Sequence, residues 1–105
     1  MRSGTTLNQL TLSGVFIERN PMRYTPAGVP VSEATLQHAS EVMEAGQVRR
    51  IELQVSVRAL GEAARWLDAA EFGKPVEITG FLAQKSMKSR LFVLHVNTLK
   101  FLEGN

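Results

Sequence analysis

The chain has 105 residues, 44% hydrophobic and 21% charged, which is enough to bury one core unaided and too few for two independent ones. It has no cysteine, so disulfide frameworks, thiolate catalysis and cysteine-ligated zinc are excluded. A formal charge of +2 permits a polyanionic partner without requiring one, and no apolar run approaches the roughly 20 residues that span a bilayer.

Met1 to Thr6 carries one basic residue with no apolar core behind it, so no signal peptide is expected. Residues 1–6 are read as a flexible tail, 7–105 as a single domain, and the cytoplasm as the compartment. Leu10 and Leu12 alternate with Gln9, Thr11 and Ser13 in a first, half-buried strand that continues through Val15, Phe16 and Ile17. Gly14 within it marks a bulge or a point where another backbone comes close. Asn20-Pro21 and Thr25-Pro26-Ala27-Gly28 are turn signals, so Arg19 to Gly28 is expected to be an exposed loop carrying Arg19, Arg23 and Tyr24.

Val29 to His38 is a second strand whose apolar parity slips between Val31 and Ala34. The polar stretch Ser40 to Gln47, with Gly46, reads as a loop. Arg49 to Leu60 is the most regular strand, with Ile51, Leu53, Val55 and Val57 on one face and Glu52, Gln54, Ser56 and Arg58 on the other. The period then changes: Ala63, Trp66, Leu67 and Ala70 share one face of a short helix, which Gly73 is expected to end. Pro75 to Ala83 is a fourth strand and Leu91 to Leu102 a fifth, with a bulge expected at Asn97-Thr98 where the apolar parity moves. Five strands with a helix between the third and fourth follow the order of an OB-fold, an all-β Greek-key barrel. An open α+β sheet built from the same elements is the competing arrangement.

Charge is distributed unevenly. Residues 1–78 hold eight Lys or Arg against nine Asp or Glu, whereas Thr79 through Leu102 holds Lys85, Lys88, Arg90 and Lys100 and no acid. Three of these four lie in Gln84 to Arg90, between the last two strands. A localised cationic loop suits a phosphate backbone; the plainer reading is a solvated loop that protects a strand edge.

Three stretches carry a family resemblance: Asn8-Gln9-Leu10-Thr11-Leu12-Ser13-Gly14, then Pro21-Met22-Arg23-Tyr24-Thr25-Pro26-Ala27-Gly28-Val29-Pro30, then Gly80-Phe81-Leu82-Ala83-Gln84-Lys85. In this order they resemble the primosomal replication protein N (PriB) family, which is related to single-stranded DNA-binding proteins. The segment Leu60 to Leu67 resembles the part of those proteins where a strand leads into the helix. The resemblance implies an OB-fold homodimer that binds single-stranded DNA in replication restart and contacts the PriA helicase and often DnaT. It assigns DNA contact to Lys85, Lys88 and Arg90 in the loop before the last strand, to Arg23 and Tyr24 in the first loop, and to Arg49 at the start of the third strand. Gln47 and Glu52 stand where some relatives place aromatic residues, so stacking is expected to be weaker or shifted to Tyr24.

Arg49 and Arg50 are adjacent on a strand and point to opposite faces, so at most one reaches a given groove. Phe16, Phe72, Phe92, Phe101 and Trp66 are read as core or dimer interface. Phe81, opposite in parity to Ile78 and Leu82, is the aromatic to watch. His38 and His95 are read as hydrogen-bonded structural residues, since neither has a partner at metal-ligand spacing. No metal or cofactor is expected, and no Gly-rich phosphate loop, carboxylate pair or nucleophile elbow supports catalysis. Two functions follow: a non-sequence-specific single-strand binder that stimulates PriA, or an OB-fold interaction adaptor with weak or incidental binding of single-stranded DNA or RNA.

Overall fold

A computed structural model describes residues 6–102. The tail expected over residues 1–6 lies outside them except for Thr6, as do the last three residues of the expected domain. The elements are β1 (Leu10–Arg19), β2 (Arg23–Tyr24), β3 (Pro30–Glu44), β4 (Gln47–Leu60), α1 (Glu62–Ala69), β5 (Val76–Gln84) and β6 (Phe92–Phe101). The strands run β1-β5-β6-β4-β3, and a β1–β3 pairing closes them into a five-stranded barrel. β2 is a two-residue addition to β3, inside what the turn signals marked as loop. This closed order, with β4 and β6 parallel and every other pair antiparallel, is the OB-fold; the open sheet is excluded.

β1 makes the closure. Leu10 to Gly14 pair with β5 and Val15 to Arg19 with β3, so the strand changes neighbours immediately after its glycine. An ideal Cβ at Gly14 would lie 2.3 Å from the Gln37 carbonyl oxygen, so a side chain there would force the two backbones apart. The bulge expected near Asn97 is present: Thr79 faces Thr98 and Gly80 faces Val96, leaving Asn97 unpaired.

Inside the barrel Phe16, Leu36, Val57, Val76, Ile78 and Leu94 are buried, and Leu67, Ala63 and Ala64 of α1 close one end. The parity slip in β3 has a polar cause. Ser32 belongs to the inward set with Ala34 and Leu36, and its hydroxyl donates 2.9 Å to the Ala64 carbonyl, tying β3 to the helix. A buried hydroxyl needs such a partner.

The helix ends earlier than expected. Ala70 adopts extended backbone and Gly73, at φ +79°, serves the turn that follows. Arg19 is the reason the end is stable: its guanidinium donates to the carbonyls of Leu67 (3.3 Å) and Ala70, and lies 5.1 Å from the Phe72 ring centroid. A cation satisfying the orphan carbonyls of a helix C-terminus does the work expected of glycine. Arg19 is therefore a half-buried capping residue at the end of β1 rather than a loop residue.

The largest difference lies in residues 40–47. They form no loop: β3 and β4 stay paired through Glu44↔Gln47, turning on Ala45 (φ 53°) and Gly46 (φ 80°). Positive φ at both central residues is the tight hairpin geometry that matches strand twist. The outer half of this hairpin pairs with no other strand and leaves the barrel as a ribbon. The radius of gyration is accordingly 15.1 Å, against about 13 Å for a compact chain of this length.

Candidate nucleic-acid interface

Cross-strand partners share a face, so the register sorts the side chains. On the outer face of the barrel Glu33 of β3 stands opposite Arg58 of β4, and Arg58 opposite His95 of β6. Next across, Phe81 of β5 faces His95, their rings stacked with centroids 4.9 Å apart and 5° between planes. Phe81 is thus an outward residue, as its parity indicated. Burial first, and then the charge of Arg58, hold the His95 pKa below its usual 6.5.

A groove of about 180 Å³ opens on this face, lined by Glu18, Glu33, Arg19, Arg58 and Lys85 among others. Glu33 organises it. Its Oε2 accepts from Arg58 Nε at 2.8 Å, and its Oε1 accepts from Arg23 Nη1 at 3.3 Å and Asn20 Nδ2 at 3.4 Å. Burial alone would raise the Glu33 pKa, but hydrogen bonds and charge from Arg23 and Arg58 outweigh it and leave the carboxyl below its ordinary value.

The residues expected to bind DNA fall into two groups. Arg23 and Tyr24 form β2; Arg23 is held by Glu33 beside the groove, whereas Tyr24, 56% exposed, pairs with Pro30 and alternates to the other face of the strand. Lys85, Lys88 and Arg90 lie in the exposed loop between β5 and β6, which is closed by Lys85 N–H donating to the Leu91 carbonyl at 2.9 Å. None of the three forms an ion pair among the described residues, whereas Lys100 is paired with Glu77 at 3.7 Å. Lys85 reaches the groove and joins the loop to Arg58 and, through Glu33, to Arg23.

Arg49 stands apart. It lies on the ribbon opposite Val42, paired with Glu44, about 30 Å along β4 from Arg58 at the rise of a strand. Arg50, on the opposite face, is paired with Glu52 at 2.8 Å. The ribbon's inner face continues the core outward through Leu53, Ile51 and Val42, with Leu53 39% exposed.

Reading by residue type missed Arg58 and Glu33 as site residues. Their outward parity was visible, but that both belong to one groove follows only from the β3–β4 register. Phe72, Phe92 and Phe101 are exposed rather than core, while Phe16 is fully buried and Trp66 packs against the core. His38 is hydrogen-bonded as expected: Nδ1–H donates to the Ser13 carbonyl at 2.7 Å, so Nε2 accepts from the Ser40 hydroxyl at 2.8 Å.

The family model described as "Another single-strand binding protein family" matches residues 8–98. The replication restart protein PriB of Bordetella pertussis is 40% identical over 99 residues, covering 94% of this chain and 92% of its own. That of Nitrosomonas europaea is 39% identical over 100 residues, covering 95% and 93%. Among solved structures, PriB from Ralstonia solanacearum superposes with a TM-score of 0.85 at 34% identity, over 93% of this chain and 100% of that one. The single-stranded DNA binding protein of Thermus aquaticus gives 0.75 at 30% identity, over 94% of this chain and 52% of its own.

Proposed function

Because the chain belongs to the family of PriB replication restart proteins, within the wider single-strand binding family, we propose that it binds single-stranded DNA without sequence preference and serves replication restart by stimulating the PriA helicase. It acts by binding and not as an enzyme, in the cytoplasm, with DnaT as a further partner and no membrane or small-molecule ligand. The observation that carries this reading is the exposed loop with Lys85, Lys88 and Arg90, cations without carboxylate partners among the described residues, beside an outer-face groove. Phosphate contacts of this kind give affinity and salt dependence but no base readout. Tyr24, on the opposite face of β2 from Arg23, supplies an exposed ring for base stacking, and Arg49, which shares the ribbon's apolar face with Val42, lies outside the path along the groove. The open apolar face of the ribbon supports a homodimer, in which a second copy covers Val42, Ile51 and Leu53.

Replacing Lys85, Lys88 and Arg90 together with alanine tests the reading. Titration of labelled oligo-dT at two salt concentrations is expected to show weaker binding and a logarithmic salt slope smaller by about 2, at about 0.7 per lost contact. Unchanged affinity and slope would remove the loop from the site.

One observation favours the adaptor reading. Arg23, Arg49, Arg50 and Arg58 are all engaged by carboxylates, which leaves few free cations for a polynucleotide. Micromolar or weaker binding of both oligo-dT and oligo-U, alongside tight binding to PriA, would decide for an OB-fold interaction adaptor.

A further inference from the structure

Two guanidiniums converge on one carboxylate in the groove. An ordinary cross-strand pair would match Glu33 with Arg58 alone; here Arg23 and Asn20 also point their donors at Oε1. The side chains of Arg58 and Glu33 are only 24% and 23% exposed, so Arg58 is poorly served by water and depends on an anion. The other charged groups of the groove are accounted for. Arg19 is committed to the carbonyls of Leu67 and Ala70, the Thr35 hydroxyl donates to Glu18, and Lys85 faces the groove with no carboxylate partner among the described residues. Around Glu33 the positive charge exceeds the negative by one. That is the arrangement of an oxyanion site whose occupant is a side chain, since a phosphate offers the same acceptor oxygens to the same forks.

We propose that Glu33 is a built-in phosphate mimic: its carboxylate occupies a phosphate subsite formed by Arg58 and Arg23 with Lys85 beside it, and a single strand gains that subsite only by displacing it. The inference rests on the single-strand binding reading and adds an element that lowers affinity. With Glu33 in place, Arg58 and Arg23 exchange one anion for another and contribute little net binding. Without it, they bind phosphate directly.

The test is Glu33→Gln in the full chain, titrated with labelled oligo-dT at about 50 and 200 mM salt. The amide keeps the size of the side chain and removes its charge. Expected are about fivefold tighter binding at the lower salt, the scale of one partly exposed ion pair released, and a salt slope steeper by about 0.7 to 1.4, one or two added contacts. Glu33→Gln/Arg58→Met is expected to lose the gain. Glu71→Gln makes the same change in net charge on the exposed turn after the helix, and less than a twofold effect is expected. If Glu33→Gln lowers the melting temperature by more than about 10 °C, Glu33→Asp replaces it, because the shorter carboxylate cannot reach both arginines, and the same gain is expected.

Each outcome decides. Equal or weaker binding by Glu33→Gln, or a gain that survives Arg58→Met or is matched by Glu71→Gln, overturns the proposal while single-strand binding by the wild type stands. If neither wild type nor Glu33→Gln binds, both readings fail. If only Glu33→Gln binds, the mimic is supported and the wild-type reading fails.

Discussion

Gly80→Ala is a stringent test of how this barrel closes. An ideal Cβ on Gly80 would lie 1.7 Å from the His95 carbonyl oxygen, 2.8 Å from its carbonyl carbon and 3.3 Å from Val96 Cα. Carbon and oxygen in favourable contact sit about 3.3 Å apart, so β5 and β6 must separate by about 1.5 Å. The obstacles are all backbone, and no rotamer change relieves them. The separation falls where Asn97 already interrupts the ladder and directly above Ile78 and Leu94, both fully buried. Overpacking at such a site costs about 3 kcal/mol, or roughly 15 °C in melting temperature for a chain of this size. Gly28→Ala is the control: nothing lies within 4 Å of its added Cβ, and only φ of +89° opposes it, at about 1 kcal/mol. Urea unfolding of both variants at one fixed protein concentration, with unchanged slope, measures the difference. If Gly80→Ala costs no more than Gly28→Ala, the close approach of the two strands is not what requires the glycine.

Tyr24→Ala is expected to weaken oligo-dT binding by about fivefold to a hundredfold, the range of one stacked base, with the salt slope unchanged; a changed slope would show the ring acting through Arg23. Arg19→Met leaves the Leu67 and Ala70 carbonyls without their donor and is expected to cost about 1–2 kcal/mol in urea unfolding; no loss would mean that water caps the helix equally well. His95 has a folded-state pKa below 6.5, so as pH falls through that value the unfolded chain takes up a proton before the folded one does. Its contribution is present above about pH 6.5 and lost below it. The urea midpoint should therefore fall between about pH 7.5 and about pH 5.5 more steeply in wild type than in His95→Gln, and equal slopes would place the loss elsewhere.

The barrel was legible because its evidence is local. Period-two alternation in Arg49 to Leu60, Gly14 inside the first strand and the parity change near Asn97 each report on the residues that carry them, and the structure agrees with all three. What was misread depends on partners distant in sequence. Gly73 looks like a helix stop, yet Arg19, some fifty positions upstream, ends the helix first. Ser40 to Gln47 looks like a loop because its polar residues outnumber its apolar ones, the composition expected of a loop. Its apolar Val42 and Met43 are adjacent, between polar Glu41 and Glu44, so this arm shows no period of two, although its partner arm with Ile51 and Leu53 does, and the turn itself falls at Ala45-Gly46.

The same distinction governs the site. A count of cations puts Arg23, Arg49, Lys85, Lys88 and Arg90 in one class, but affinity for phosphate depends on what each cation must leave in order to bind it. Among the described residues Lys85, Lys88 and Arg90 have no carboxylate to leave. Arg49 must leave Glu44, and Arg23 must leave Glu33, which also holds Arg58. Exposed pairs of this kind are worth little on their own, so Arg49 is cheaply released, whereas Arg58, three-quarters covered, is not. If the loop draws in a strand as proposed, the strand would meet its resistance at the groove, where the proposal puts the control of affinity on Glu33, a carboxylate on a chain whose net charge is positive.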